Sequence, residues 1–178
     1  MELKIGIILG STRNGRVSPS VGQWVLERAE KHGRARYELI DIRDYRLPFL
    51  GESEDKNRIA AWNEKLASLD AFIFVLSEYN HSISGVLKNA LDLAHEAWHD
   101  KAAGIVSYGS AGGARAAEHL RTILGELMVA DVRQHVMLNL FHDFDEERNF
   151  KPQSVHEEPL NTLFDQVIRW GSALKSLR

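Results

Sequence analysis

Residues Ala71–Asp92 read AFIFVLSEYNHSISGVLKNALD, and the order of events within them decides the fold. Ala71–Leu76 is the most apolar run in the chain, short and rich in aromatic and branched residues, as befits a central strand covered on both faces. A polar loop with Ser, Asn and Gly follows. From Gly85 to Trp98 the apolar residues recur at helical spacing. The unit strand–loop–helix repeats to either side. Leu3–Leu9 precedes a helical stretch over Val17–His32, and Tyr37–Ile42 is followed by a loop, Arg43–Ser53, and a helix over Lys56–Leu69. Ala102–Tyr108 leads into a helix over Gly113–Met128, and Val132–Leu140 forms a fifth strand. An irregular charged segment, Phe141–Glu158, separates it from a closing helix over Leu160–Leu177. Five strands alternating with helices predict right-handed crossovers and an α/β domain, a parallel sheet covered on both faces, spanning residues 1–178. Ligands of such sheets bind beyond the carboxyl ends of the strands, where the winding reverses. The loops after strands one, three and four therefore carry the functional reading.

Composition narrows the chemistry. With no cysteine among 178 residues there is no disulfide, no thiolate nucleophile and no Cys-ligated zinc or iron–sulfur cluster. Redox chemistry would have to sit on a bound organic cofactor or a non-cysteine metal. The 22 Lys and Arg against 25 Asp and Glu give −3, so no global basic field draws nucleic acid or a membrane surface. The opening MELKIGIILG is too short to span a membrane and lacks a small-residue cleavage site, which makes a cytoplasmic location the expectation.

The first loop reads GSTRNGR, Gly10–Arg16, and runs into a helix. Backbone amides at a helix start favour an anion, and Arg13 and Arg16 add cations suited to phosphate. No acidic residue occurs from Leu3 to Leu26, so a local charge of +3 is focused there within a negative chain. The loop is neither G-x-G-x-x-G nor Walker A, and suits a phosphate monoester better than a pyrophosphate. The second loop offers the flat face of Tyr79 and the amide of Asn80, a combination suited to a planar heterocycle. The third, SYGSAGGAR over Ser107–Arg115, has three glycines in five positions and lets backbone amides approach a ligand closely.

GSTRNGR, SEYNHSISGVLKNALD and SYGSAGGARA, in this order and spacing, resemble the NADPH-dependent FMN reductase family, whose members reduce flavins, quinones or azo compounds. The resemblance covers about residues 3–130 and implies a flavodoxin-like three-layer sandwich with strand order 2-1-3-4-5. It implies FMN and NADPH (or NADH) as cofactors, with hydride passing from the nicotinamide via flavin N5 to a small-molecule electron acceptor. Carried over by residue, Ser11, Arg13, Arg16 and Val17 would hold the FMN phosphate. Glu78, Tyr79 and Asn80 would line the isoalloxazine, and Ser107, Gly109, Gly112 and Gly113 would surround its pyrimidine edge. Ser77 and Ser84 stand where the family usually has proline, leaving the second loop fewer fixed φ angles.

Two features stand outside that reading. His95-Glu96-Ala97-Trp98-His99 matches H-E-x-x-H, which on a helix sets two imidazoles on one face for zinc, with Glu118 or His119 as conceivable third ligands. A zinc peptidase is therefore one alternative, and a flavodoxin-type electron carrier the other. The Gly85–Trp98 stretch is also apolar around more than one stripe, which suggests a second buried face and a homodimer, or dimer of dimers, through this helix.

Overall fold

A computed structural model of the protein describes residues 2–52, 55–94 and 96–178. Its strands are β1 (Lys4–Leu9), β2 (Arg36–Asp41), β3 (Ala71–Ser77), β4 (Lys101–Gly109) and β5 (Val129–Asn139). They form one parallel sheet in the order β2-β1-β3-β4-β5, as the resemblance implies. The helices are α1 (Ser18–His32), α2 (Ile42–Tyr45), α3 (Lys56–Ala67), α4 (Gly85–Asp92), α5 (Ala114–Glu126) and α6 (Glu157–Leu174).

Alternation along β3 sends side chains to two cores. Ala71, Ile73 and Val75 join α1 and α6 on one face, where Val25, Leu163 and Phe164 are buried. Phe72, Phe74 and Leu76 join α3, α4 and α5 on the other, around Trp62, Leu91 and Leu120. Every residue of β3 and β4 is buried, which is why those strands read as unbroken apolar runs rather than as alternation. The pairs Leu9 with Val75, Ser77 with Tyr108 and Gly109 with Asn139 bring the carboxyl ends of β1, β3, β4 and β5 to one edge.

The structure departs from the expected elements in three places. The loop over Arg43–Ser53 begins with the single-turn α2, capped by Asp41 Oδ1 accepting from Arg43 N at 3.0 Å. β5 begins at Val129, three residues early, and carries a bulge opposite Gly104. The helix expected over Gly85–Trp98 ends at Asp92, and a separate 3-10 turn spans Glu96–Trp98. Trp98 is fully buried there against Trp62, Phe72 and Phe74, at ring-centroid distances of 5.9, 4.9 and 5.9 Å.

That break changes two readings. The wide apolar arc is covered from within the chain, because Leu87, Ala90, Leu91, Ala94 and Trp98 all join the second core. It no longer requires a partner. Glu96 lies in the 3-10 turn and His99 just beyond it, neither on an α-helix; His95 lies outside the described residues. Among the described residues no group of three or more His, Asp or Glu is arranged to hold a metal, and no helix is long and apolar enough to cross a membrane.

Candidate functional site

The β1–α1 loop is shaped by Arg16. Its guanidinium donates to the Ser11 carbonyl at 2.5 Å and to Asp41 Oδ1 at 2.7 Å, and a second nitrogen meets Asp41 Oδ2. Its side chain is only 9% exposed. Arg16 is therefore a strap between the loop and the end of β2, and its charge is cancelled by Asp41. Arg13 differs: it is exposed and has no hydrogen-bond or ionic partner among the described residues. The amides of Ser11–Gly15 likewise meet no acceptor there, while Arg16 N turns back to Arg13 O at 3.2 Å. The helix that follows has no side-chain cap and no acidic residue in its first turn. The free cation and the free amides thus coincide, an arrangement that suits an anionic group.

Past β3 the chain makes a tight turn. Tyr79 and Ser82 exchange backbone hydrogen bonds of 2.9 Å each way, with Asn80 and His81 between them at φ 46° and 69°. Two successive left-handed residues make a primed turn, which Asn tolerates at modest cost. The absent prolines are replaced by a different device. Ser84 caps α4 by accepting from Leu87 N at 3.2 Å and donates to Gly10 O at 2.6 Å, fastening this loop to the first. Glu78 is committed inward, paired with the Arg115 guanidinium and accepting Arg115 N at 3.3 Å. Tyr79 remains exposed, and no partner engages the Asn80 side chain among the described residues.

The β4–α5 loop lies flat on its own strand. A Cβ on Gly113 (φ 76°) would come within 2.7 Å of Ser107 Cβ and 3.0 Å of Tyr108 N; one on Gly112 (φ 65°) would meet Met137 Cβ at 2.9 Å. The loop carbonyls are all taken: Gly109 O by Gly112 N and Leu140 N, Ser110 O by Asn139 Nδ2, Ala111 O by Ala114 N, Gly112 O by Ser107 Oγ. The amides of Ser110 and Ala111 have no acceptor among the described residues. A loop with satisfied carbonyls and spare amides is a donor surface. Gly113→Ala is expected to weaken binding of any ligand held by these amides at least tenfold, since left-handed strain of about 1–2 kcal/mol adds to the overlap. Equilibrium titration with FMN checks this; unchanged affinity would show that the loop is not used.

A fourth segment completes the site, one to which sequence reasoning assigned no role. Asp143 is buried just after β5, where its carboxylate accepts from Asn139 N at 2.7 Å, from His156 Nε2 at 2.8 Å and from Gln153 N at 3.3 Å. Phe144 and Phe150 pair across a short hairpin and anchor it through Trp24 and Tyr108, with ring centroids 5.1–6.2 Å apart. At the hairpin tip, Lys151 and Asn149 hold the Asp145 carboxyl down at about 2. Arg148 (φ 66°) stays exposed there without an ionic partner among the described residues.

These elements enclose a cleft of about 470 Å³ lined by Arg13, Val17, Glu78, Tyr79, Gly109 and, from the hairpin, Phe141 and Arg148. Tyr108 forms part of its wall, its phenol pushed up by burial against the opposing effect of the Ser77 and Ser18 hydroxyls. Of the expected residues, Arg13, Val17, Glu78, Tyr79 and Gly109 meet in this one space. Ser11, Arg16, Asn80, Ser107, Gly112 and Gly113 do not line it. Arg16, Ser107, Gly112 and Gly113 stand behind it as struts. Phe141, Phe144 and Tyr108 went unassigned, although aromatic residues at the carboxyl end of β5 and β4 were visible in the sequence.

Comparison with known proteins places this cleft in context. The sequence matches the family described as NADPH-dependent FMN reductase over residues 3–143. An NAD(P)H-dependent FMN reductase of Schizosaccharomyces pombe is 35% identical over 133 residues, covering 70% of this chain and 66%, just under two thirds, of the relative. A 2-hydroxy-1,4-benzoquinone reductase of a Burkholderia species is 29% identical across 96% of this chain and 97% of its own length. Among solved structures, the flavoenzyme NAD(P)H:(acceptor) oxidoreductase FerB of Paracoccus denitrificans is similar with a TM-score of 0.78. That match covers 96% of this chain and 98% of the other at 20% identity, a likeness of fold alone.

Proposed function

Because the chain belongs to the NADPH-dependent FMN reductase family, we propose that the 470 Å³ cleft holds FMN and that the protein passes electrons from NAD(P)H to a quinone or flavin acceptor. Bound FMN would supply the chemistry, accepting hydride from NAD(P)H and delivering the electron pair to the acceptor. The residues supply position and charge. Arg13 and the free amides of the first loop receive the phosphate, with Ser11 and Val17 beside them; Arg16 keeps that loop in shape. Tyr79 flanks the ring system, with Asn80 next to it in the turn and Glu78 paired with Arg115. Gly109, Gly112 and Gly113, seated on Ser107, present the Ser110 and Ala111 amides to the pyrimidine edge, where negative charge accumulates on reduction. Phe141 and Tyr79, both exposed at the cleft, offer apolar faces against which a nicotinamide or quinone ring packs. No side-chain acid, base or nucleophile is needed.

The observation that carries this reading is Arg13 on a run of amides, both without partners among the described residues, at the point where the sheet order reverses. Steady-state kinetics of the FMN-loaded protein with NADPH and menadione test it. Parallel double-reciprocal lines are expected, because both substrates use one face in turn. Absence of NADPH oxidation would leave the electron-carrier alternative standing.

A homodimer belongs to the same proposal, with its interface moved from the α4 arc to the loop before α3. Phe49 and Leu50 are 55% and 63% exposed, yet their backbone is fixed by Asn89, which accepts Leu50 N and donates to Pro48 O at 2.9 Å each. Exposed apolar side chains on a backbone held in place suit a second copy of the chain. Leu50→Glu is expected to convert a dimer to monomer by light scattering; a wild-type monomer at micromolar concentration contradicts it. A cytoplasmic setting, where NAD(P)H is supplied, completes the proposal.

A further inference from the structure

His135 figures in no motif, yet it is joined to the β4–α5 loop. It follows the bulge in β5: between Ala103 opposite Asp131 and Ile105 opposite His135, Gly104 alone faces three residues. Both sides of the bulge are held. Arg121 reaches Asp131 and the carbonyls of Val132 (3.1 Å) and Arg133 (3.4 Å), while Gln134 N donates to Gln166 Oε1 at 2.8 Å. Bulges often re-aim a side chain next to a site. Here His135 Nε2 lies 2.7 Å from Ser107 Oγ, and Ser107 Oγ lies 2.5 Å from Gly112 O. A carbonyl only accepts, so the one Ser107 proton goes to Gly112. Nε2 must then carry the proton that Ser107 accepts. Burial, reinforced by Arg121, keeps the imidazole neutral with its pKa pushed down to about 4, consistent with that single tautomer.

The relay ends where orientation matters. Gly112 and Gly113 both have left-handed backbones, and the chain at Gly113 passes too close to Ser107 to admit a side chain. Without the Ser107 hydrogen bond, nothing among the described residues would hold the Gly112 carbonyl inward. We infer that His135 is a positioning residue: through Ser107 it fixes the Gly112 peptide, and so the direction of the amides that this loop offers to the flavin pyrimidine edge. It touches no cofactor atom itself. Its consequence is a tighter grip on FMN, stronger for the reduced form because charge gathers at that edge.

This inference rests on the FMN reading, and its test separates the two. FMN dissociation constants and two-electron midpoint potentials are measured for the wild type, His135→Leu, His135→Gln and Ser107→Ala. His135→Leu is expected to weaken binding of oxidised FMN about fivefold and of reduced FMN about fiftyfold. The tenfold difference corresponds to a potential lower by about 30 mV. His135→Gln, which keeps an N–H donor of similar reach, should restore most of both. Combined with Ser107→Ala, His135→Leu should add little, since the two act in one chain. Wild-type values in His135→Leu overturn the inference, as does full additivity in the double variant. Should His135→Leu fail to fold, Ser107→Ala alone must lower the potential or the inference falls. A wild type that binds no FMN would instead remove the parent reading.

Discussion

Replacing Arg13 by alanine is expected to raise the FMN dissociation constant about 10- to 100-fold while leaving riboflavin binding within about twofold. The magnitude follows from losing a charge-assisted hydrogen bond, worth about 1.5–3 kcal/mol. The selectivity follows from geometry: Arg13 is exposed and has no partner among the described residues, and riboflavin lacks the phosphate it would meet. Arg16→Ala should behave differently. Its guanidinium braces Ser11 against Asp41, so its loss loosens the loop, weakens both ligands together and leaves the partly buried Asp41 carboxylate uncompensated. Paired titrations of the two ligands against the two variants check the division of labour. Equal loss of FMN and riboflavin in Arg13→Ala would contradict the phosphate role.

The largest effect on stability is expected at Trp98. Its fully buried indole packs on Trp62, Phe72 and Phe74 and donates to Leu91 O at 3.1 Å. Trp98→Ala should cost about 3–5 kcal/mol, combining lost transfer energy with a cavity beneath β3. Two flanking residues are the controls. Glu96 is exposed and His99 half-buried, and their alanine variants should stay within about 0.5 kcal/mol, as surface changes usually do. Denaturant unfolding measures all three. A large loss at Glu96 or His99, accompanied by bound zinc, would revive the metal reading of this segment.

The sheet was legible because burial wrote itself into the strands: β3 and β4 are covered on both faces, and their centres, Ala71–Leu76 and Ala102–Val106, are unbroken apolar runs. The loops were legible because topology dictates where they converge. What escaped was long-range pairing. Arg16 reads in the sequence as a free cation of its loop; its pairing with Asp41, 25 residues on, shows only in the structure. The end of α4 escaped because Leu93, Ala94, Ala97 and Trp98 continue helical spacing. Apolar period does not distinguish a helix from a turn sunk in a core, where Lys101 Nζ donates to Ala97 O at 2.8 Å and to Leu66 O at 2.6 Å. The hairpin after β5 was hidden by its charges. Asp145, Glu146, Glu147 and Arg148 suggest a solvated segment, whereas the buried Asp143 and the Phe144–Phe150–Trp24 contacts fix it at the cleft. Ser84 shows the reverse: a departure from the family pattern that removes proline's stiffness and replaces it with a helix cap tied to Gly10.

The central claim is that this cleft binds FMN and lets NAD(P)H reduce it. Its most direct measurement is the visible spectrum of the purified protein reconstituted with FMN, freed of excess cofactor by gel filtration and titrated anaerobically with NADPH. The account predicts one FMN retained per chain and bleaching of the oxidised-flavin bands by about one equivalent of NADPH. FMN lost on the column, or retained FMN that NADPH leaves oxidised, would contradict it.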